Sequence, residues 1–185
     1  MLFRSISITD NIAASSNLQM SSGVAGITQT GGAIQVAGPS SFAAGTGPVS
    51  LTQPGNDFAS IGVTGGVVSL QDSNGVVLSG VSAATSLTVN ANGNVSQTAP
   101  VVVSGTTTVN AGIGNVTLTT AGNNLNVLNV AGNAINVVEG AGSSLTVNTL
   151  SSGANQPVSL AAGHTLTLPA TVINAGSADI NLTSP

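Results

Sequence analysis

The sequence predicts an all-β protein, a parallel β-helix (β-solenoid) in outline, with about 19 to 22 residues per coil. Two nested repeats support the solenoid. In the long repeat, the block at residues 26–57 returns at residues 94–124, so that Val49 corresponds to Val116. Inside the block a shorter repeat places the triplets at residues 49–51, 68–70 and 87–89 at a constant step. A constant short step is typical of solenoids, in which equivalent segments stack on one another.

The composition favours ordered β-structure. Apolar residues make up 41% of the chain and charged residues 3%, and the mean hydropathy is +0.44. Disordered chains combine low hydrophobicity with high net charge, so this chain is expected to fold. The 24 glycines and the abundant Ser, Thr, Asn and Val disfavour helix, because these residues lose rotamer freedom or hydrogen-bond the backbone locally.

Each repeated triplet reads apolar, polar, apolar, which is the period-2 pattern of a strand that buries one face. Residues 6–9 also read as strand. The predicted inward residues are Val49, Leu51, Val68, Leu70, Leu87, Val89, Val116, Leu118, Ile135, Val137, Leu145 and Val147. The intervening polar residues, predicted to face water, are Ser50, Ser69, Thr88, Thr117, Asn136 and Thr146.

Tight-turn dipeptides separate these segments and predict the corners of the coils. They include Asn74-Gly75, Asn92-Gly93, Gly31-Gly32, Gly65-Gly66 and Pro54-Gly55. Ala-Gly pairs begin at residues 111, 121, 131 and 141, evenly spaced, and are predicted to mark alternate corners. A sandwich of hairpins would use the same dipeptides, but it does not require one triplet to recur in register, so the solenoid is favoured.

The chain is predicted to form a single β-helix segment over residues 1–185, with repeat units at roughly 1–58, 59–125 and 126–185. The third unit is eroded, since residues 174–176 and 180–183 echo residues 110–112 and 116–119 at a slightly shorter offset. About nine coils would give a rod on the order of 40 to 45 Å long. Stacked amides are expected to bond between coils at Asn123, Asn124, Asn126, Asn129, Asn133 and Asn136.

The acidic residues offer no catalytic pattern. The five acids are Asp10, Asp57, Asp72, Glu139 and Asp179; no two are close in sequence, and we find no shared repeat position for them apart from corners. Enzymes that cleave polysaccharides on β-helices need clustered carboxylates for acid-base chemistry. The sequence therefore predicts a protein that is not an enzyme and has no catalytic residues.

No metal or cofactor site is predicted. His164 is the only histidine and is interpreted as a solvated turn residue, because a metal site would need partners that the chain lacks. Asp57 is interpreted as a turn residue in preference to a calcium ligand. The glycosylation sequons at Asn94, Asn115 and Asn181 are expected by accident in a chain so rich in Asn, Ser and Thr.

Charge excludes two kinds of partner. With Arg4 as the only basic side chain apart from the histidine, the chain lacks the cations that bind nucleic-acid phosphates. No apolar run approaches the length of a membrane span, and no basic amphipathic helix is visible for membrane-surface binding.

The absence of cysteine gives no disulfide framework, and the N-terminal residues lack the apolar core of a signal peptide.

Three stretches resemble the repeat module of filamentous-hemagglutinin-like adhesins. They are Gly55-Asn56-Asp57-Phe58 with the run from Gly62 to Leu70, the run from Leu87 to Gln97, and the run from Thr106 to Gly112. The resemblance implies a right-handed parallel β-helix in a secreted bacterial protein that is exported by two-partner secretion or as an autotransporter passenger. It also implies an extracellular or outer cell-surface location. Because no signal peptide is visible and residues 6–9 already read as strand, the chain is expected to be an internal piece of a longer protein.

The expected function is that of a structural shaft that holds a binding region away from the cell. Host or neighbouring-cell glycans or matrix would then be bound through the parent protein. One alternative is direct glycan or matrix binding, which aromatic platforms would favour, although only Phe3, Phe42 and Phe58 exist. The other is a self-associating filament protein, because open strand edges at the ends of a solenoid can pair with another copy.

A further alternative is an ice-binding solenoid, which carries Thr in a regular grid on a flat face. Threonines do alternate at residues 106–108, 117–119 and 165–167. The equivalent positions elsewhere are taken to be Ser50, Ser69, Asn136 and Ser159, so we interpret the grid as broken.

Overall fold

The computed structural model describes residues 4–185, and Phe3, one of the three aromatic residues, lies outside this range. Within it the chain contains strands and turns and no helix, and every strand pairing is parallel. The strands are β1 (Ile6–Ile8), β2 (Ile12–Ala14), β3 (Leu18–Ser21), β4 (Ile27–Gln29), β5 (Ile34–Ala43), β6 (Val49–Leu51), β7 (Asp57–Asp72), β8 (Val76–Ala91), β9 (Val95–Gln97), β10 (Val101–Val103), β11 (Thr106–Asn110), β12 (Val116–Leu118), β13 (Val127–Ala131), β14 (Ile135–Val138), β15 (Leu145–Ser151), β16 (Val158–Ala161), β17 (Leu166–Thr167) and β18 (Ile180–Thr183). The predicted β-solenoid is confirmed.

The first face of the solenoid is one parallel ladder that runs through the described chain. It consists of β1, β4, β6, the ends of β7 and β8, then β11, β13, β15 and β17. Eight coil-to-coil steps join these nine strands, so the described chain makes between eight and nine coils, close to the nine expected. Residues that pair on this face are separated in sequence by the predicted coil length. The separation is wider between Ile27 and Val49 and narrower between Val49 and Val68.

Two further faces complete the coil. The second face contains β2, the starts of β5, β7 and β8, then β9, β12, β14, β16 and β18. The third face contains β3, the end of β5, the middle of β7 and of β8, and β10. Beyond β10 it shrinks to an isolated bridge between Val102 and Asn124. The coil therefore has three strands near the N-terminus and two near the C-terminus.

The core is a continuous apolar column inside these faces. All twelve predicted inward residues from Val49 to Val147 are buried, and the six polar residues between them are half-buried or exposed. Phe42 and Phe58, both 1% exposed, pack edge to face with ring centroids 5.9 Å apart and an interplanar angle of 82°. The period-2 pattern thus identified the buried side of each strand correctly.

The corners follow the predicted Ala-Gly spacing. The pairs at residues 111 and 131 lie between the first and second faces, whereas those at 121 and 141 follow second-face strands. The prediction of alternate corners is confirmed. Gly112, Gly122 and Gly142 have φ values of 55°, 87° and 79°, a conformation that glycine adopts without steric cost.

The long repeat does not correspond to a whole number of coils. Val49 lies on the first face, but Val116, its equivalent in the second copy, lies on the second. Likewise Val36 lies on the second face and Val103 on the third. One repeat therefore spans three coils plus about one third, since each coil has about 20 residues. The second copy is shifted by one face relative to the first.

The eroded third copy behaves differently. Its shorter offset relates Val116 to Ile180, and both lie on the second face through the pairings β12–β14, β14–β16 and β16–β18. The local turn is also reproduced: Asn110 accepts the N–H of Gly112 at 3.0 Å, and Asn174 accepts that of Gly176 at 2.9 Å. This copy is related to the second by three whole coils and no change of face.

Candidate functional site

The apolar interior contains a small set of polar side chains that recur in the two clear repeat copies. We call Gln29, Asn56 and Asp72 the first polar plug, and Gln97, Asn123 and Glu139 the second polar plug. Asn56 and Asn123 are fully buried, Asp72 is 1% exposed, and Gln29 and Glu139 are each 4% exposed. Gln97 is half-buried. Burial at this level requires partners for every polar atom, and the two plugs supply them in the same way.

In the first plug, two amides bond reciprocally across neighbouring coils. Gln29 Nε2 donates to Asn56 Oδ1, and Asn56 Nδ2 donates to Gln29 Oε1, both at 2.8 Å. Gln29 Nε2 also donates to the carbonyl of Gly32 at 2.8 Å. Asn56 Oδ1 accepts the backbone N–H of Ile34, one coil earlier, at 2.9 Å.

The second plug repeats this arrangement. Gln97 Nε2 donates to Asn123 Oδ1 at 2.8 Å, and Asn123 Nδ2 donates to Gln97 Oε1 at 3.0 Å. Asn123 Oδ1 accepts the N–H of Val101 at 3.0 Å, as Asn56 does for Ile34. Asn123 Nδ2 has two further acceptors, the carbonyls of Leu118 at 3.1 Å and Val138 at 2.9 Å. The asparagine of the second plug therefore holds more neighbours than that of the first.

Each plug ends in a buried carboxylate that caps the backbone N–H of a residue earlier in the chain. Asp72 Oδ2 accepts the N–H of Phe58 at 2.9 Å, and its Oδ1 accepts that of Asn74 at 3.0 Å. Glu139 accepts the N–H of Leu125 with Oε1 at 2.9 Å and Oε2 at 3.2 Å. Both capped residues lie where the strand ladder to the next coil is interrupted. Phe58 precedes the first residue pair between β7 and β8, which is Ile61 with Leu78. Leu125 comes directly after Asn124, the residue of the isolated bridge.

Burial dominates the electrostatics of the two acids. Desolvation raises the pKa of Asp72 above its ordinary value, the N–H groups of Phe58 and Asn74 partly offset this rise, and the Asp57 charge adds to it. Desolvation likewise raises the pKa of Glu139, while the N–H groups of Leu125 and Gly140 lower it. The interior thus favours the protonated form of both acids relative to water.

The plugs correct one expectation and explain a missed signal. The acids were expected to share no repeat position apart from corners, but Asp72 and Glu139 are equivalent in the long repeat and do the same thing. Sequence reasoning also passed over the amides. Gln29 occupies an inward position in the alternation of Ile27, Thr28 and Gln29, and Gln97 does so after Val95. A polar residue repeated at an inward position was the available signal.

The remaining predicted candidates lie apart from the plugs. His164 is exposed, and its Nδ1 is 2.9 Å from Thr165 Oγ1 and 3.4 Å from Ser144 Oγ, as expected for a turn residue. Asp10 and Asp179 are exposed and Asp57 is half-buried. Within residues 4–185, no group of three or more His, Cys, Asp or Glu side chains is placed to hold a metal ion.

Two of the three sequon asparagines, Asn94 and Asn115, act in the stacking of coils. Asn94 Oδ1 accepts the N–H of Asn115 at 2.8 Å, and Asn115 Oδ1 accepts that of Ala134 at 3.0 Å. Side-chain bonds between coils also join Asn148 to Asn129 and Asn133 to Asn115. The prediction of amide bonding between coils is confirmed for Asn129 and Asn133, and for Asn123 inside the buried second plug. Asn126 instead donates to the backbone carbonyl of Ser104 in the preceding coil.

The outward side chains at the middle position of the first-face strands form an uncharged ladder. In order along the rod they are Ser7, Thr28, Ser50, Ser69, Thr88, Thr108, Asn129 and Thr149. Thr117, Asn136 and Ser159 belong to a separate ladder on the second face. The grid described from the sequence therefore mixed positions from two faces, because the long repeat changes face.

The surface has shallow grooves. One of them, of about 550 Å³, is an open depression on the second face lined by small side chains together with Gln35 and Asp57. In the described part of the chain, no helix is long and apolar enough to cross a membrane.

The carboxylates of Asp72 and Glu139 accept backbone N–H groups inside the rod, so the arrangement serves the stacking of coils.

Parallel coils, internal side-chain plugs and a ladder of outward hydroxyls together define a β-solenoid repeat protein. More specifically, the chain belongs to a family described as repeats of unknown function (DUF5649), which matches it twice, at residues 5–64 and 65–131. The two matches are consecutive and together cover more than half of the chain. Comparisons with curated proteins and with solved structures found no match.

Proposed function

We propose that this chain is a non-catalytic structural segment, the shaft of a secreted bacterial surface adhesin. The observation that carries the proposal is the unbroken parallel ladder of the first face, which extends from β1 to β17. In such a stack each coil contacts its neighbours, and stability grows by nearest-neighbour contacts along the rod. A rod of this kind serves as a spacer that separates a binding region from the cell surface.

The surface chemistry supports a spacer. The outward ladder of the first face contains only hydroxyl and amide side chains, and the acids at Asp72 and Glu139 are turned inward. The two described phenylalanines are buried against each other, so they offer no platform to a sugar. We infer that glycans or matrix of a host or neighbouring cell are bound through other parts of the parent protein, outside the cell.

The test is a binding assay with the purified chain. Circular dichroism and analytical ultracentrifugation would first establish a folded, monodisperse β protein. The chain is then applied to a glycan and matrix-protein array beside a version with shuffled coils. We expect no saturable binding that the shuffled control lacks. Saturable binding specific to the native order of coils would replace the spacer by a direct recognition module.

End-to-end association with a second copy is the second candidate, and the last coil favours it. All four residues of β18 are exposed, and Ile180 and Leu182, which align with the buried Val158 and Leu160, are 40% and 39% exposed. An exposed strand with apolar side chains is a template for pairing with another chain.

Sedimentation at increasing concentration tests this candidate. If the last coil pairs with another copy, the double variant Ile180→Lys and Leu182→Lys abolishes association. The matched control, Asn181→Lys and Thr183→Lys, changes the alternate side chains of the same strand and leaves association intact. A chain that stays monomeric at all concentrations contradicts this candidate and leaves the spacer proposal unaffected.

A further inference from the structure

We propose that Asp72 and Glu139 are a proton-binding device, built once into each of the two clear repeats, which makes the rod more stable in acid than at neutral pH. The geometry points to it because two of the five acids of the chain are buried at equivalent positions of the long repeat. Each caps the backbone N–H of an earlier residue, Phe58 in one case and Leu125 in the other.

The surroundings of each acid favour proton binding. Among residues 4–185, the only charge that acts on Asp72 is that of Asp57, a like charge, and no charged side chain shifts the pKa of Glu139. Arg4 is exposed in the N-terminal segment, and the ring of His164 bonds to Ser144 and Thr165. Within the described chain neither carboxylate has a cation to stabilise its charge, and an unpaired buried charge is costly.

Protonation preserves the interior bonds. When Asp72 binds a proton at Oδ1, Oδ2 still accepts the N–H of Phe58, and the exposed Asn74 gives its N–H to water. Both oxygens of Glu139 contact the N–H of Leu125, at 2.9 and 3.2 Å, so one can be protonated while the other keeps the bond. The carboxylic acids thus retain the cap and lose the desolvation cost of the charge.

The sign of the effect follows from linkage. Burial raises the pKa of both folded-state acids above the ordinary values of 3.8 for Asp72 and 4.5 for Glu139. The folded chain therefore binds these protons at a pH at which the unfolded chain has lost them. The resulting stabilisation is full below the unfolded values and disappears as the pH rises through the folded values.

Thermal unfolding of the chain between pH 3 and pH 8 tests the device. We expect the Tm of the native chain to rise by at least about 3 °C from pH 7.5 to pH 3.5. The double variant Asp72→Asn and Glu139→Gln, whose amides keep an acceptor oxygen, should lose this rise. The control Asp10→Asn and Asp179→Asn, at exposed positions, should keep it. An equal pH dependence in the native chain and the double variant overturns the proposal.

A second measurement needs no variant. The chain has five side-chain carboxyl groups, so ¹³C NMR of uniformly labelled protein can follow each carboxyl carbon during a pH titration. The resonances assigned by through-bond correlation to Asp72 and Glu139 should titrate above the ordinary values of 3.8 and 4.5. Titration of Asp72 and Glu139 at or below their ordinary values contradicts the proposal.

Discussion

The solenoid has two regions that stack in the same way but close their coils differently. In residues 6–103, the three-strand region, each coil uses the first, second and third faces. In residues 106–183, the two-strand region, the third face is replaced by turns after the bridge at Asn124. The first-face ladder continues through both regions with little change in coil length. Stacking therefore does not depend on the third strand.

The side chains on the third face explain why a third strand forms in one region and not in the other. In the three-strand region this face buries Phe42, Ile61, Val63 and Val81, which alternate inward and pair from coil to coil. In the two-strand region the same side of the coil contains Ala-Gly pairs and the left-handed residue Asn126, with a φ of 58°. Residues in this conformation turn the chain, and alanine fills less space than phenylalanine, so a tight corner replaces a strand.

The polar plugs show how the molecule compensates for the missing third strand in the two-strand region. The second plug, at the start of the two-strand region, makes more bonds than the first, because Asn123 also reaches the carbonyls of Leu118 and Val138. Glu139 caps the N–H of Leu125 just where the third-face ladder stops. Side-chain acceptors thus replace the missing strand partners.

The largest effect is expected in the core of the three-strand region. Phe58→Ala removes a fully packed ring from the pair with Phe42 and should lower the free energy of unfolding by about 3–5 kcal/mol. Phe58→Leu, the control, fills much of the same volume and should lose less than half as much. Urea unfolding followed by circular dichroism measures both. Equal losses of stability for the two variants would mean that the volume of the side chain at position 58 does not stabilise the core of the three-strand region.

The next effect concerns the second plug. Asn123→Ala leaves the amide of Gln97 and the N–H of Val101 without their partners, so we expect a loss of about 2–4 kcal/mol. Asn56→Ala should cost less, because Asn56 has fewer acceptors in the first plug. Asn124→Ala, at the exposed neighbouring position, is the control and should stay within about 0.5 kcal/mol. The order is read from urea unfolding, and an Asn56 variant as unstable as the Asn123 variant contradicts it.

A smaller effect is expected where corners stack closely in the two-strand region. Gly163→Ala directs a Cβ against the carbonyl oxygen of Gly140 in the preceding coil, and we expect a loss of about 1–3 kcal/mol. Gly142→Ala is the comparison. It has open space around its Cβ but a φ of 79°, so its loss should be about 1 kcal/mol, from backbone strain alone. Thermal melts rank the two variants. The reverse order would show that neighbouring coils can move apart at this corner at little cost in free energy.

The smallest effect is expected at the end of the two-strand region. Leu182 and Leu160 are aligned on adjacent coils, but Leu182 is 39% exposed and Leu160 is fully buried. Leu182→Ala should cost less than about 1 kcal/mol, whereas Leu160→Ala should cost about 2–5 kcal/mol. Urea unfolding at low protein concentration, which limits association between copies, gives both values. Comparable losses would show that the last coil is covered in solution.

Much of the ladder could be read from the sequence. The triplets at Val49, Val68 and Leu87 were predicted to stack, and they pair directly on the first face. Val116 and Ile135 were predicted as a further step, and they pair on the second face. This worked because strand alternation and a constant step are local properties. The polar plugs were missed, since Gln29 and Asn56 are far apart in sequence and only stacking brings their amides together.

The sequence by itself determined the solenoid, its step of about 20 residues and the buried side of each strand, because apolar alternation and repeat spacing are written along the chain. Only the tertiary structure decided the number of faces, the shift of face between copies and the burial of Asp72 and Glu139. The physical reason is that the long repeat is not a multiple of the coil. Which residues meet depends on how the coils close, and closure is decided by side-chain volume and hydrogen bonding across coils.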